Sequence, residues 1–220
     1  MAATTTLNGP RHAPASGGPP KSLVILLHGL GADGNDLIGL APHWAHLLPD
    51  AAFVSPHAPF PCDMAPMGRQ WFSLRDASPA AMARGVEQAA PILDAFIDAE
   101  LENAGLTDDR LALVGFSQGT MMSLHVSLRR TRACAGVLGY SGMLVAPETL
   151  KSDIHARPPI MLIHGDRDEL IPVDALHGAV SVLAEAGASA QWHVCEGLGH
   201  GIDETGLDLG GKFLKVCLGS

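Results

Sequence analysis

The chain has 220 residues, of which 47% are hydrophobic and 17% are charged, and its net charge is −9. This length and composition predict a single globular domain with a sizeable core and exclude a disordered chain. The acidic charge argues against nucleic acid or an anionic membrane surface as the main partner, because both select basic patches.

The composition also bears on the setting in which the protein works. Residues 1–20 are rich in Thr, Ala, Gly and Pro and lack the apolar core of a signal peptide, so we expect a flexible N-terminal tail followed by one domain over residues 21–220. The four cysteines show no C-x-x-C spacing, which favours a reducing, cytoplasmic setting over a disulfide framework. No apolar stretch approaches the ~18 residues of a transmembrane helix, so no integral membrane association is expected. The oligomeric state stays open, with a homodimer among the alternatives.

Apolar runs that predict strands alternate along the chain with segments that predict helices. Predicted strands lie at Ser22–Leu27, 51–55, 110–115, 133–139, 160–164 and 191–195. Predicted helices lie at 36–47, Pro79–Ala104, 120–128, 173–186 and 203–218. Several of the strands are apolar throughout, which is typical of strands buried on both faces of a parallel sheet. The alternation predicts a compact α/β fold with a doubly wound, mostly parallel sheet in a single domain.

The clearest predicted helix is Pro79–Ala104. Its apolar residues recur at three- and four-residue steps, Ser78 is a good N-cap, and Gly105 can end the helix. Pro91 lies inside this segment and is expected to kink the helix or split it in two. Before the helix, residues 56–78 show no clean periodicity, and loops of that length in compact domains are usually functional.

A candidate nucleophile follows the third predicted strand. Residues 115–119 read Gly-Phe-Ser-Gln-Gly, which fits the G-x-S-x-G pattern, and a predicted helix follows at once. Strand, sharp turn and helix are the context of a nucleophile elbow, in which Ser117 would be presented on a strained turn. The amide of Gln118 would then be free at the helix N-terminus to meet a developing oxyanion. An ordinary Gly-Ser loop is the alternative.

A nucleophilic serine needs a base, and the base needs an orienting acid. Functional groups of an open α/β sheet gather at the carboxyl ends of its strands, which directs attention to the loops after the last two predicted strands. The final loop carries His200 between two glycines, and the preceding one carries Asp166 and Asp168. Asp166 can simply cap its own turn, so we favour Asp168 as the acid. The resulting order of serine, aspartate and histidine is that of α/β-hydrolases.

A second glycine-rich segment lies just past the first predicted strand. Residues 28–31 read His-Gly-Leu-Gly, at the place where α/β-hydrolases have the loop that supplies the second oxyanion amide, so the amide of Leu30 is the candidate. Gly29, Gly31 and Gly34 also satisfy the G-x-G-x-x-G pattern of dinucleotide-binding loops. That alternative is disfavoured because the second predicted strand runs into Ser-Pro-His rather than ending in the required acidic residue.

The other histidines are expected to be structural. His43 and His46 are three residues apart on a predicted helix, but no cysteine or carboxylate cluster accompanies them, so we expect a solvated helix face and no metal site. Packing, supporting or surface positions are expected for the histidines within or beside other predicted elements, which are His57, His164, His177 and His193.

Five motifs follow one another along the chain, namely His-Gly-Leu-Gly at 28–31, Ser-Pro-His-Ala-Pro at 55–59, Gly-Phe-Ser-Gln-Gly at 115–119, Tyr-Ser-Gly at 140–142 and His-Gly-Asp-Arg-Asp at 164–168. Taken together, they resemble the motifs of the carboxylesterase/phospholipase family, to which the acyl-protein thioesterases belong. The resemblance covers all of the chain beyond the N-terminal tail. It implies a compact α/β-hydrolase fold, a triad of Ser117, Asp168 and His200, and an oxyanion hole formed by the amides of Leu30 and Gln118. Triad chemistry requires no metal and no organic cofactor.

The loop at residues 56–78 is the expected substrate-binding region. Its large apolar side chains suggest an acyl-binding wall, for which we single out Met67, Trp71 and Phe72. Trp71 resembles the family's tryptophan before the substrate groove, and a buried loop anchor is the alternative. The segment 61–68 differs locally from the eukaryotic thioesterases, so the resemblance does not carry over an acyl-chain preference.

The sequence therefore predicts a carboxylesterase, a serine hydrolase that cleaves small-molecule esters of short to medium acyl chains through an acyl-enzyme. Thioesters and lysophospholipids are further candidate substrates. Two alternatives stay open, namely acyl-protein thioesterase as the main activity and a non-catalytic binding module with the same fold. A peptidase is disfavoured, because nothing in the chain resembles the extra domain that usually restricts peptide access.

Overall fold

The computed structural model describes residues 6–219 and contains a central seven-stranded sheet. The strands in chain order are β1 Arg11–His12, β2 Ser22–Leu27, β3 Ala51–Val54, β4 Phe60–Pro61, β5 Arg69–Gln70, β6 Leu111–Phe116, β7 Gly136–Tyr140, β8 Ile160–Gly165 and β9 Ala190–Cys195. The central sheet has the order β1-β3-β2-β6-β7-β8-β9, and β4 and β5 form a separate antiparallel pair. Within the central sheet, β1 is antiparallel to β3 and the other pairings are parallel. The predicted mostly parallel sheet is confirmed.

Helices cover both faces of this sheet. They are α1 Gly34–Leu37, α2 Ala41–Trp44, α3 Pro79–Ala104, α4 Gln118–Arg129, α5 Pro147–Asp153, α6 Asp174–Glu185 and α7 Glu204–Leu218, with short 3-10 helices at Ile38–Leu40 and Asp108–Arg110. One core packs the sheet against α3, α4, α5 and α6, and a second core packs the opposite face against α1, α2 and α7. Along β2, Leu23 and Ile25 point into the first core while Val24 and Leu26 point into the second. The sheet is doubly wound, as predicted, and its burial on both faces explains why its strands are apolar throughout.

The long helix α3 has the bounds expected from the sequence. The Ser78 hydroxyl accepts a hydrogen bond from the Ala81 amide, and Gly105 ends the helix with a φ of 65°. Of the two effects expected of Pro91, a kink or a split, the split is wrong, since α3 is continuous from Pro79 to Ala104. Burial of the apolar face on either side of the proline stabilises both halves as one helix, because packing contributes more to helix stability in proteins than local propensity does.

The structure corrects one helix prediction and contains one helix that was not predicted. The single helix expected at 36–47 is instead α1, a 3-10 turn and α2, and Gly39 and Pro42 account for the interruption because neither residue favours a continuous α-helix. Helix α5 has seven residues and was not predicted, since so short a helix shows no apolar periodicity.

The N-terminal segment is part of the fold, which corrects the expected flexible tail for the residues described. Arg11 and His12 pair with β3, and the carbonyl oxygens of Asn8 and Pro10 accept hydrogen bonds from the loop after β3. Leu7 is buried in the first core. Residues 1–5 of the expected tail lie outside the described residues. Within residues 6–219, none of the helices combines the length and the apolarity that a bilayer span requires.

Candidate active site

Ser117 lies on the turn between β6 and α4 in a strained conformation. Its φ is 53° and its ψ is −116°, a region that residues other than glycine rarely adopt. The amide of Ser117 donates to the Tyr140 carbonyl of the neighbouring strand at 2.9 Å, which holds the turn in place. The serine is thereby presented beyond the carboxyl end of β6, as an elbow geometry requires.

The two glycines of the elbow are needed because backbones approach closely there. A Cβ on Gly115 would lie 2.4 Å from the amide nitrogen of Thr120, and a Cβ on Gly119 would lie 1.8 Å from the carbonyl oxygen of Leu27. Real Cβ atoms do not tolerate such distances, so any larger residue would push α4 away from the strand ends. The glycines therefore set how closely the first turn of α4 approaches β2 and the loop that follows it.

Asp168 lies against His200 at the carboxyl ends of β8 and β9. The Nδ1 atom of His200 is 2.8 Å from Oδ2 of Asp168, and Oδ1 of Asp168 accepts hydrogen bonds of 2.9 Å from the amides of Leu170 and Ile171. The Asp168 carboxylate is fully buried, whereas 16% of the His200 side chain is exposed. Burial by itself would raise the pKa of Asp168, but the hydrogen bonds from Ile171, His200 and Leu170 outweigh it and lower the pKa below its usual value.

A second histidine, His164, also lies beside the Asp168 carboxylate. Nε2 of His164 is 2.7 Å from the carbonyl oxygen of Ile171 and 3.2 Å from Oδ2 of Asp168. Both neighbours only accept hydrogen bonds, so Nε2 must carry the proton. His164 is thus a buried supporting residue rather than a surface histidine.

Asp166 has different hydrogen-bond partners from Asp168. Its Oδ1 accepts a 2.7 Å hydrogen bond from the amide of Gly197, and its own amide donates to the carbonyl of Cys195. Asp166 therefore ties the loop that carries His200 to the loop after β8. Of the two candidate acids, the structure brings Asp168 to His200.

The His200 loop has a further support that the sequence analysis did not single out. Ser141 follows β7 with a φ of 45°, and its hydroxyl donates to the carbonyl of Gly201 at 3.1 Å. The ring of Phe116 packs against the imidazole of His200, with ring centroids 5.0 Å apart. The Tyr-Ser-Gly motif at 140–142 was the signal for Ser141, but its partner 60 positions away could not be inferred from the motif.

The two candidate oxyanion amides belong to two backbone segments close to the nucleophile. Gln118 is the first residue of α4, and Leu30 is in the turn after β2. A Cβ on Gly29 would lie 3.3 Å from Cβ of Ser117, which shows how closely the Leu30 turn passes the serine. Within residues 6–219, neither amide donates a hydrogen bond to a protein acceptor. The described part of the fold therefore leaves both donors without a protein partner.

His28 shapes the turn that carries Leu30. Its Nδ1 donates to the Gly29 carbonyl at 2.7 Å, and its Nε2 accepts from the Ala58 amide at 3.0 Å. Burial lowers the pKa of His28, which keeps the ring neutral and preserves this pair of hydrogen bonds. The ring therefore joins the turn to the start of the loop at residues 56–78.

The structure does not place the three expected substrate-binding side chains on one wall. Trp71 and Phe72 are buried in the first core, whereas 79% of Met67 is exposed. The indole N–H of Trp71 donates to the His28 carbonyl at 3.0 Å. This arrangement corresponds to the loop-anchor alternative for Trp71, because a buried indole whose N–H is paired inside the protein does not face a substrate.

The remaining histidines take structural or surface positions. Nδ1 of His57 accepts a hydrogen bond from the Gly34 amide at 3.1 Å, and His177 packs edge-on against the half-exposed Trp192. His43 and His46 are exposed. In the part of the chain that the structure describes, no group of three or more His, Cys, Asp or Glu residues could hold a metal ion.

The fold agrees with what comparison with known proteins shows. Residues 12–218 match the phospholipase/carboxylesterase family. The chain belongs to this family. It is 30% identical to esterase YpfH of Escherichia coli, over 91% of this chain and 84% of that protein, and 27% identical to acyl-protein thioesterase 1 of Gibberella zeae, over 89% of this chain and 90% of that protein. The crystal structure of esterase PE8 superimposes with a TM-score of 0.93 at 42% identity, covering 97% of this chain and all of that one.

Membership of the family confirms the fold and activity class expected from the sequence. The protein is an α/β-hydrolase of the carboxylesterase type, with a single domain built on a mostly parallel sheet. The residues of the candidate site follow the carboxyl ends of β2, β6, β8 and β9, which lie at one edge of the sheet because these strands are parallel.

Proposed function

We propose that this carboxylesterase cleaves small-molecule esters of short to medium acyl chains, with Ser117 as nucleophile, His200 as base and Asp168 as orienting acid. The observation that carries the proposal is the 2.8 Å hydrogen bond between His200 and the fully buried Asp168, beside a strained serine elbow. The preference for shorter chains rests on the burial of Trp71 and Phe72, which removes from the site the side chains that could have formed a long acyl-binding wall.

In the first half of the reaction, Oγ of Ser117 attacks the acyl carbonyl while Nε2 of His200 takes its proton. Asp168 accepts the Nδ1–H of His200, which keeps the base in the correct tautomer and stabilises the imidazolium. The amides of Leu30 and Gln118 hold the oxyanion, and each donor of this kind contributes about 10²–10³ in rate. His200 then protonates the leaving alcohol, and an acyl-enzyme remains on Ser117.

In the second half, water attacks the acyl-enzyme with His200 again acting as base. The carboxylic acid leaves, and the proton returns from His200 to Ser117. Every proton is carried by the triad, so the proposal includes no metal and no organic cofactor. The four cysteines are free, which supports the reducing, cytoplasmic setting that we include in the proposal.

Thioester hydrolysis is the second candidate activity. The same triad can attack a thioester carbonyl, and the relative from Gibberella zeae is named an acyl-protein thioesterase. Comparing kcat/KM for a butyryl oxygen ester and a butyryl thioester of similar leaving-group pKa separates the two candidates, and lysophospholipids belong in the same panel. A higher kcat/KM for the thioester would make thioesterase the main activity.

The triad proposal is tested with Ser117→Ala and a fluorophosphonate probe. Ser117→Ala is expected to lower kcat on p-nitrophenyl butyrate by at least ~10³, as loss of a triad member does, without unfolding the protein. In the wild type, the fluorophosphonate should label Ser117, which peptide mass spectrometry can locate. A folded wild-type protein that is neither labelled nor active would favour the non-catalytic binding module instead.

A further inference from the structure

The two oxyanion amides come from separate parts of the chain, and one short segment hydrogen-bonds to the Gln118 side chain and to the residues on both sides of Leu30. Leu30 follows β2 and Gln118 follows β6, so nothing in the local sequence sets the distance between the two amides. Residues 69–72, which we call the strap, comprise β5 and the two residues after it. The strap hydrogen-bonds to the elbow on one side and to the turn around Leu30 on the other.

On the elbow side, the strap is held by the side chain of Gln118. This side chain is fully buried, its Oε1 accepts from the Trp71 amide at 2.9 Å, and its Nε2 donates to the Phe72 carbonyl at 2.8 Å. Both polar atoms of the Gln118 side chain are therefore hydrogen-bonded to the strap. These two hydrogen bonds leave the side chain little freedom to rotate. The residue whose backbone N–H faces the oxyanion thus binds the strap through its side chain.

On the other side, the strap brackets the turn that carries Leu30. The Gly31 amide donates to the Arg69 carbonyl at 2.9 Å, and the Arg69 amide donates to the Ala32 carbonyl at 2.8 Å. The Trp71 indole N–H donates to the His28 carbonyl at 3.0 Å. Leu30 therefore lies between two points at which the strap is hydrogen-bonded to its turn.

We propose that the strap sets the position of the Leu30 amide relative to the Gln118 amide, with the Trp71 indole and the Gln118 side chain as its positioning groups. Oxyanion donors stabilise a transition state only when they are already aimed at the place where charge develops. Trp71 and the Gln118 side chain act through the two amides and do not touch the substrate. The inference rests on the proposed Ser117 mechanism and adds to it the part that holds the oxyanion hole together.

The chain contains a matched control for Trp71. Trp44 is also almost fully buried, and its indole N–H donates to the Leu207 carbonyl at 2.9 Å. Trp44 lies in the second core, on the opposite face of the sheet from Trp71. Replacing either tryptophan with phenylalanine removes one hydrogen bond from a buried indole to a carbonyl and keeps an aromatic ring. The two variants should therefore lose a similar free energy of unfolding. Only Trp71→Phe loses a hydrogen bond to the turn that carries Leu30.

The experiment compares wild type, Trp71→Phe and Trp44→Phe in thermal unfolding, in kcat and KM on p-nitrophenyl butyrate, and in inhibition by a trifluoromethyl ketone with a propyl group. Oγ of Ser117 adds to the ketone carbon, its proton passes to His200, and the carbonyl oxygen becomes an oxyanion in the same place as in the reaction. We expect Trp71→Phe to lower kcat about tenfold with KM within about twofold, and to weaken the inhibitor by about the same factor, since misplaced groups cost up to 10²-fold. Trp44→Phe should lower the melting temperature similarly and leave kcat and inhibition unchanged.

A second variant tests the proposal even if Trp71→Phe does not fold. Gln118→Met keeps the backbone amide and the side-chain length but removes both hydrogen bonds to the strap, so it should show the same loss of kcat and inhibitor affinity. A folded Trp71→Phe or Gln118→Met with wild-type kcat and inhibitor affinity would overturn the strap proposal, as would an equal loss of kcat in Trp44→Phe. Failure of the proposed function looks different, because then either the wild type is inactive or Ser117→Ala retains turnover.

Discussion

At the scale of single residues, two aspartates only two positions apart have different partners. Asp168 accepts hydrogen bonds from His200, Leu170 and Ile171, whereas Asp166 accepts from Gly197 across the loops. Residue type and spacing do not distinguish such a pair, since either carboxylate could cap a turn or orient an imidazole. The hydrogen-bond partners distinguish them, and each implies a different consequence of mutation.

Asp168→Asn is expected to lower kcat by about 10⁴, the cost of the equivalent change in a serine protease, because the amide would favour the wrong tautomer of His200. Asp166→Asn keeps an acceptor for the Gly197 amide, so it should retain kcat within about tenfold. Steady-state kinetics and thermal melting of the two variants make the comparison. An inactive Asp166→Asn together with an active Asp168→Asn would move the acid of the triad to Asp166.

At the scale of elements, the edge strand β1 is held by contacts at long sequence separation. Arg11 forms a two-pronged ion pair with Glu100 of α3, with 2.6 Å between Nη2 and Oε1. The Glu100 side chain is 7% exposed, so it depends on this partner for compensation of its charge, whereas Arg11 is more than half exposed. The pair therefore joins the N-terminal segment to the helix that covers the first core.

Arg11→Met is expected to destabilise the fold by about 1 kcal/mol, because it leaves the buried carboxylate of Glu100 unpaired while solvent screens part of the loss. Glu100→Gln in the Arg11→Met background should recover part of that stability, since the charge is then absent. Chemical denaturation of the two single variants and the double variant gives the coupling free energy. Strictly additive effects would mean that the ion pair does not hold β1.

At the scale of the whole molecule, two cores on opposite faces of one sheet support a site at its carboxyl edge. Helix α4 is the element common to core and site, because it begins at the elbow and is buried along nearly its whole length. It also carries His125, a buried side chain whose pKa is lowered to about 4, mainly by burial and in addition by Arg129, with Asp153 opposing. Nδ1 of His125 has no hydrogen-bond partner within residues 6–219.

This buried histidine predicts a loss of stability in acid. The unfolded chain binds a proton at His125 below pH 6.5, while the folded chain resists protonation until about pH 4, so stability is full above pH 6.5 and falls as the pH drops towards 4. The loss amounts to about 3 kcal/mol at most, from about 1.4 kcal/mol per pH unit. Denaturation of His125→Gln between pH 7.5 and 4.5 should show a shallower loss than wild type, and exposed His46→Gln provides the control. Equal slopes for all three proteins would contradict the prediction.

Much of the fold and part of the site could be predicted from the sequence because the signals are local. The central strands are continuous apolar runs, the bounds of α3 follow from Ser78 and Gly105, and the elbow follows from a strand, a glycine-flanked serine and a helix. The shared carboxyl edge of parallel strands then directs attention to the loops that carry Asp168 and His200. These features depend on neighbours within a few residues or on a general rule of topology.

The long-range contacts of the loops around the site follow only from the tertiary structure. The Trp71 indole meets the His28 carbonyl 43 positions away and the Gln118 side chain meets Phe72 46 positions away, so two of the three residues expected to form a substrate wall, Trp71 and Phe72, are instead buried in the strap. Residues 11 and 12 form a strand because they pair with the edge of β3. Burial of an aromatic side chain or of a two-residue segment depends on which distant parts of the chain pack against it. Such long-range contacts leave no periodic pattern in the sequence.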